Sequence, residues 1–398
     1  MPSRSAAATT ASLRSRGDGR LAALAVGQVI SWGILYYALI VAAPAIAVDT
    51  GWSLVEITVS FSIGLVASAI AGIVVGRLLD AGSPRIVMTL GSVVGAAGLV
   101  VVSTAGDLLG FTAGWIIVGV GQSAVLYQAA FTVIARRSRD RRRRTMTIVT
   151  LAGGLASTVF APIVAGLLSV LDWRATLLLL AVLLCATTTP LHWLSLERRW
   201  PPSAPAAPHD ADHSLGEVLR TRRFWMLELA MIALTASLYG VTLAVIPLFE
   251  EKGITYVLAA WALGLLGAGQ VIGRLLYAVV PHGTALWVPL AVTAGSAAVV
   301  LALLAIVPGP PWLLLVLGIL AGAVRGASTL VQGSAVADRW GTRNYGAING
   351  VFAAPITAVA AAGPALGPLI ATATGSYAAM GVAAAGLALV ALAMARFA

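Results

Sequence analysis

"PWLLLVLGILAGAVRGASTLVQGSAVA", residues 311–337, carries one charge, Arg325, in 27 residues. A helix rises 1.5 Å per residue, so about 20 apolar residues cross the roughly 30 Å hydrocarbon core of a bilayer. This stretch is long enough to do so. Comparable runs recur along the whole chain of 398 residues, which is 59% hydrophobic and 10% charged, with a mean hydropathy of +0.95. Soluble domains carry about 25% charged residues, because their surface faces water. The composition excludes a soluble globular fold and predicts an all-α protein that crosses a membrane many times.

Hydropathy read between charges, Gly/Pro breaks and caps predicts twelve spans. They run over 21–47, 54–79, 85–105, 108–135, 144–170, 174–195, 224–249, 255–280, 284–307, 312–337, 344–372 and 376–396. Residues 1–20, rich in Ala, Ser, Thr and Arg, are predicted to be disordered and not a cleavable signal. The polar stretch "ERRWPPSAPAAPHDADHS", from Glu197, divides the spans six and six. The expected domains are a bundle over 21–196, a linker over 197–223 and a second bundle over 224–398. The halves repeat weakly. "ARR" at 135–137 and "ADR" at 337–339 stand 202 residues apart, as do Pro162 and Pro364, and Gly51 and Gly253. Two six-helix halves in parallel repeat are the layout of a secondary transporter with its site between them.

Of 25 basic residues, 21 fall in the N-terminus, the connections after even-numbered spans and the C-terminus. The positive-inside rule places these, and both termini, in the cytoplasm. Arg174 and Lys252 fall on the other side, and Arg274 and Arg325 fall within spans. Seven arginines crowd "ARRSRDRRRRT", residues 135–145, read as a topogenic loop facing lipid headgroups rather than a nucleic-acid site. The lone cysteine, Cys185, excludes an internal disulfide and a thiolate metal cluster. His192, His209, His213 and His282 fall in connections or at helix ends, so no helical pair offers a metal site. No cofactor, metal or nucleic acid is expected, and no nucleophile–base set points to an enzyme.

The connection after span 2, "GRLLDAGSPR" at 76–85, resembles the signature loop of the major facilitator superfamily. Gly76 permits close helix approach, Asp80 follows four residues on, and Arg85 lies past a tight turn. Ser83 and Pro84 stand where the family has glycine and arginine. With twelve spans, the six-and-six split and cytoplasmic termini, the resemblance covers the chain after residue 20. It implies a monomeric secondary transporter of the inner cell membrane with a central cavity between its halves. In it Gly76, Asp80 and Arg85 gate access, and Asp80 latches the halves together by holding a helix N-terminus and an arginine.

Within the superfamily the details are most similar to the monocarboxylate transporters and oxalate/formate exchangers. The aromatic first span "SWGILYY" leads to "DTGWSLVEIT", where Ser53 and Glu56 form a capping box. Arg274 in "GQVIGRLLYAVV" stands where those families carry an arginine for the substrate carboxylate. This chain departs from them at three places. Gln270 replaces an acid one turn before that arginine, Ala45 stands near an expected lysine, and span 11 lacks a second cation. The familiar route of proton symport is therefore not implied.

A charge at mid-bilayer costs roughly 2.5–3.5 kcal/mol. Arg274 is near enough to the end of its span to snorkel. Arg325 has a reach of roughly 6–7 Å against an interface some 15 Å away, so it must face a wet cavity or a partner. Its helix adds Thr329 and Gln332 on the same face. Span 7 carries a second polar stripe, Glu228, Thr235, Tyr239 and Thr242, and span 1 a third, Gln28, Trp32 and Tyr36. The expected substrate contacts are Arg274, Arg325, Gln270, Thr329, Gln332, Trp32, Tyr36, Gln28 and Tyr239, suited to a small organic anion. The competing reading makes both arginines structural, bonded to helix-end carbonyls. Trp32 and Tyr36 either contact substrate or pack the bundle. Glu228 is either a coupling acid or a residue that caps span 7 or pairs with Arg222 or Arg223. A proton-exchanging drug exporter is the alternative function. Gly153, Ser157 and Ala161 before Pro162 resemble its antiporter motif, although small residues at that spacing also serve ordinary helix packing.

Overall fold

The computed structural model describes residues 19–137, 141–200, 213–279 and 283–398. Twelve helices there are long and apolar enough to cross a membrane. They are α1 (Gly19–Thr50), α2 (Leu54–Ala81), α3 (Pro84–Thr104), α4 (Leu108–Arg137), α5 (Arg142–Leu168), α6 (Trp173–Ser195), α7 (Arg222–Leu243), α8 (Tyr256–Ala278), α9 (Val288–Ile306), α10 (Pro311–Trp340), α11 (Tyr345–Thr374) and α12 (Tyr377–Ala395). No strand occurs among the described residues. Of the residues expected to be disordered, Gly19 and Arg20 instead open α1, while 1–18 lie outside the described residues, as do 138–140 of the arginine-rich loop, 201–212 of the linker, and His209 and His282. The chain parts between residues 206 and 207, within the expected linker, into two compact units.

In the first unit, α2 and α3 pack on α4, and α6 packs on α3. Ile34, Leu35, Phe61, Leu99, Trp115 and Leu180 lie in its core. Large apolar side chains such as Ile70, Val74, Leu90 and Val182 are exposed, which suits hydrocarbon and not water. Lipid supplies no hydrophobic drive between helices, so small residues set close approach. A Cβ on Gly119 of α4 would run into the backbone carbonyl of Gly64 on α2.

The second unit repeats this plan, with α8 against α10, and α9 against α12. Here the backbones of α8 and α10 touch at Gly269, Gly273, Gly322 and Gly326. A Cβ on Gly273 would strike the backbone of Ala323, and one on Gly326 the backbone of Gln270. The turn of α8 carrying Gln270 and Arg274 is thereby fixed alongside the turn of α10 carrying Arg325.

The two cations on the minority side of the charge asymmetry close helix ends. Arg174 Nη1 donates to the carbonyls of Ser103 and Ala105, at 2.9 and 2.6 Å, at the end of α3. Lys252 Nζ donates to Ala305 and Val307, at 2.9 and 2.5 Å, at the end of α9. The second pair of carbonyls stands 202 residues after the first. Positive charge belongs at a helix C-terminus, where carbonyls lack partners. The acids pair in the same way. Asp49 Oδ2 accepts from Trp173 Nε1 at 2.8 Å, and Glu251 accepts from the backbone N–H groups of Tyr377 and Ala378 at 2.6 and 3.1 Å. Asp49 ties the end of α1 to the start of α6, and Glu251 ties the stretch that follows α7 to the start of α12.

Four helices are irregular in ways the hydropathy pattern does not show, α5 among them with a turn at Leu155. α1 contains a π-helical turn over Gly33–Tyr37, and α4 breaks at Leu126, whose backbone is extended at φ −82° and ψ −166°. Span 7, expected to run to 249, stops at Leu243, and a short helix over Val245–Glu251 follows. Pro247 accounts for this, because it removes the N–H that would bond the Leu243 carbonyl and its ring crowds that oxygen.

Candidate functional site

Arg325 lies midway along α10, and its partners come from α7. Its guanidinium carbon sits 3.9 Å from the centroid of the Tyr239 ring, a cation–π contact. Its Nη1 donates to Thr242 Oγ1 at 3.1 Å, and that hydroxyl in turn donates a hydrogen bond to the Leu238 carbonyl at 2.6 Å. Two of the polar stripes read from the sequence thus meet. Arg325 Nε is buried and makes no bond among the described residues, and no carboxylate there lies within ion-pair reach of it. One face and one nitrogen are held, while the Nε–Nη2 edge is left to offer two parallel donors. That edge matches the two oxygens of a carboxylate.

Arg274 is 6% exposed on α8, across the seam from that turn of α10. Gln270 and Gln332 are half-buried. Thr329 is turned back on its own helix, donating to the Arg325 carbonyl at 3.2 Å, a habit of serine and threonine within helices.

The expected site residues of α1 lie in the first unit and serve its irregular backbone. Gln28 is fully buried, and its Nε2 donates to the Val125 carbonyl at 2.6 Å, beside the break at Leu126. Gln122 answers it, donating to the Leu35 carbonyl in the π-helical turn at 2.7 Å. Each glutamine satisfies a carbonyl at the irregular turn of the other helix. Trp32 packs between Tyr36 and Tyr127, with ring centroids at 5.2 and 4.8 Å, and Tyr127 stacks on Phe131. Gly153, part of the resembled antiporter motif, lies against Tyr127, whose hydroxyl a Cβ there would strike. Close packing of α5 on α4 accounts for that glycine.

At the signature loop, Gly76 is buried and Asp80 pairs with Arg136, Oδ1 to Nη1 at 3.6 Å. The same nitrogen donates to the Asp80 carbonyl at 2.6 Å, and the guanidinium lies 4.6 Å from the centroid of the Trp200 ring. Trp200 Nε1 in turn donates to the Leu79 carbonyl at 2.7 Å. Arg85 Nε donates to the Leu196 carbonyl at 2.9 Å, and Glu197 receives Arg20 and Arg137 at 3.0 and 3.6 Å. All these partners belong to the first unit. The arginine Asp80 holds comes from α4, in its own half.

Glu228, left open between two roles, does neither of the structural ones. Thr221 caps α7, its hydroxyl accepting from Phe224 N. Glu228 is 2% exposed, and neither carboxylate oxygen has a donor among the described residues. His192 was legible only as a residue near a helix end. It is buried in the last turn of α6 with Nδ1 2.9 Å from Ser92 Oγ and Nε2 unbonded among the described residues. Gln122 and Tyr127 are polar side chains in an apolar span, a signal present in the sequence itself.

A family model described as the Major Facilitator Superfamily matches residues 24–311. No curated protein matches the chain. Among solved structures, a single-site variant of the E. coli fucose:proton symporter FucP aligns at 17% identity and a TM-score of 0.67, over 94% of this chain and 97% of that one. FucP in the outward conformation aligns at 16% and 0.70, over 94% and 97%. The human organic anion transporter MFSD10 (TETRAN) aligns at 17% and 0.71, over 95% and 99%. At these identities the likeness carries the fold and not the cargo. The family match spans well over half of a chain built of twelve membrane-length helices: it belongs to the major facilitator superfamily of membrane transporters.

Proposed function

We propose that this transporter moves a small organic anion, a monocarboxylate or dicarboxylate, by alternating access, with Arg325 holding the carboxylate. The observation that carries the reading is the guanidinium itself. It lies in the middle of a membrane helix with no acid within ion-pair reach among the described residues, braced by the Tyr239 ring and Thr242, and its buried Nε makes no bond there. A purely structural arginine would be expected to spend its donors on helix-end carbonyls, as Arg174 and Lys252 do. Arg274, with Gln270 beside it, supplies further positive character next to the same turn of α10, in keeping with the resemblance to monocarboxylate transporters and oxalate/formate exchangers. The Asp80–Arg136 pair, with Gly76 and Arg85, is the gating element. The charge asymmetry supports a protein of the inner membrane with both termini cytoplasmic, working as a monomer.

The test is a thermal-shift screen of the purified full chain against acetate, lactate, oxalate and succinate, with tetraphenylphosphonium as a hydrophobic cation. A ligand that binds only the folded state at a hundred times its Kd stabilises it by about 2.7 kcal/mol. One of the acids raises the melting temperature of the parent, and Arg325→Gln, folded and monodisperse, loses that response. Stabilisation by the cation alone would favour the drug-exporter alternative.

A further inference from the structure

The least explained group in the second unit is the carboxyl of Glu228. It stands about 9 Å along the α7 axis from Arg222, is 2% exposed, and has no donor to either oxygen among the described residues. The elements packed on α7 offer it no counter-charge. One turn earlier, Phe224 packs on Trp340 and Phe352. α9 has no titratable side chain, α11 has only Tyr345, and α12 has Tyr377 at its opposite end and Arg396 capping its last turn, which forms no ion pair with Glu228. Apart from Arg325, held by Tyr239 and Thr242, the ionisable residues of α10 are Asp338 and Arg339. Arg339 donates to the carbonyls of Leu286 and Ala335, and Tyr345 donates to the Gly333 carbonyl. Arg222 and Arg223, on α7 itself, form no ion pair with Glu228. Beyond α7 the short helices carry Glu217, in a capping box with Ser214, Glu250, and Glu251, which holds the start of α12.

An ionised carboxylate in that place would give up its hydration for nothing. Nature retains such groups inside membrane bundles mainly for function. We infer that Glu228 is the proton-carrying site of this transporter: a neutral acid in the conformation described, which releases its proton to water when α7 is exposed on the other side. The step is a single proton transfer. The Oε–H bond breaks, the proton passes to water, and the carboxylate remains until it is reprotonated. Transport is therefore coupled to protons by a residue on α7, and not through the acid that Gln270 replaces on α8. The inference rests on the chain's being a secondary transporter and not on the anion assignment, so each fails separately.

The experiment needs no substrate. Dicyclohexylcarbodiimide attaches to carboxyl groups that hold their proton in apolar surroundings. The full chain in lipid nanodiscs is labelled with it across a pH series and the site located by peptide mass spectrometry. Glu228 is labelled at neutral pH, and labelling falls about tenfold per pH unit above its midpoint, the slope of one titrating group. Hydrogen–deuterium exchange of α7 peptides is then compared between parent and Glu228→Gln at each pH, so that intrinsic exchange chemistry cancels. The two match at low pH, where both side chains are neutral, and diverge as pH rises. Absence of labelling at neutral pH overturns the inference, and so does an exchange difference that is zero throughout or already complete at low pH. If Glu228→Gln does not fold, Glu228→Asp takes its place and shifts the midpoint of the divergence. Loss of the fold in both variants marks a structural acid and also overturns the inference.

Discussion

Arg325 is where substitution separates binding from architecture most cleanly. Replacing it with Gln removes the charged donor edge offered to a carboxylate. A charge-assisted hydrogen bond is worth about 1.5–3 kcal/mol, so Kd for the acid that best stabilises the parent rises roughly 10- to 150-fold. Arg325→Lys keeps the charge but lacks the planar fork, and one ammonium cannot lie on the Tyr239 ring, bond Thr242 and present two parallel donors together. It loses most of the same affinity. Tyr239→Leu removes the ring 3.9 Å from the guanidinium. A cation–π contact contributes about 0.5–2 kcal/mol, which is a loss of roughly 2- to 30-fold in affinity. Tyr239→Phe retains the ring and stays within about twofold of the parent. The assay is equilibrium binding of that acid to each purified variant, with melting temperature as the check on folding. If Arg325→Gln melts like the parent and binds the acid with the parent's Kd, the anion site lies elsewhere and the reasoning from the unbonded edge is refuted.

Asp80→Asn removes the acid from a pair whose side chains are 9% and 13% exposed. Arg136 keeps the Asp80 carbonyl and the Trp200 ring, so the loss of stability is about 1–3 kcal/mol, below the usual 3–5 kcal/mol for breaking a buried pair. Acid affinity changes by less than about tenfold while transport slows, and unchanged transport together with unchanged accessibility of cysteines placed along the gate would reject the gating role. Lys252→Met frees two α9 carbonyls and lowers the melting temperature, by about 1–3 kcal/mol in stability, without changing acid binding; reduced binding would place Lys252 at the site. Gly326→Ala drives a methyl group into the Gln270 backbone. The strain costs about 1–3 kcal/mol, read as lost expression or a lower melting temperature, and an unchanged melting temperature would show that α8 and α10 separate easily. Reporter fusions after Ala398 and within 201–212 read cytoplasmic, and an external signal at either reverses the orientation.

Much of the architecture was legible because the bilayer makes hydropathy decisive. An apolar run such as 311–337 has no alternative to crossing, and its helix ends were predictable to within a few residues. Span 7 exceeded its helix because hydropathy does not register a missing N–H. Pro247 is apolar enough to extend the pattern and still ends the helix four residues earlier, at Leu243. The π-helical turn at Gly33–Tyr37 and the break at Leu126 left no such mark, since their freed carbonyls are answered by Gln28 and Gln122, far apart in sequence. For the candidate site, spacing showed that Arg325, Tyr239 and Thr242 each lay on a polar stripe. It did not show that two of the stripes face each other, which depends on how α7 and α10 are rotated in the second unit. Gln28 shows the same limit: its place on a polar stripe of α1 is visible in the sequence, and its bond to the Val125 carbonyl is not. A polar face is visible in a sequence, but what it faces is not.

The internal repeat separates these roles further. Groups that close helix ends keep the offset of 202 residues: Asp49 with Glu251, Ser103 with Ala305, Ala105 with Val307. Both halves need them, because every helix end has unsatisfied carbonyls or N–H groups whatever the protein transports. The polar groups at depth do not keep it. Arg325 corresponds to Ser123, Arg274 to Gly72, Glu228 to Val26, and His192 to Met394. Single occurrence alone does not mark function, since Gln28 and Gln122, which answer freed carbonyls in the first unit, have Ala230 and Val324 at the same offset. These four occur once each, three in the second unit and one in the first. The expensive members of that set, Arg325 and Glu228, are a cation with an unbonded edge and an acid with no donor among the described residues. Substitution of Ser123 by Arg tests this directly: Tyr37 and Ile40 stand at the offset of Tyr239 and Thr242, so if one half suffices to define the cargo site, the added guanidinium lacks the hydroxyl brace and does not restore acid binding to Arg325→Gln. Restored binding in that double variant would show that the halves are interchangeable at this depth, and the asymmetry would then carry no functional meaning.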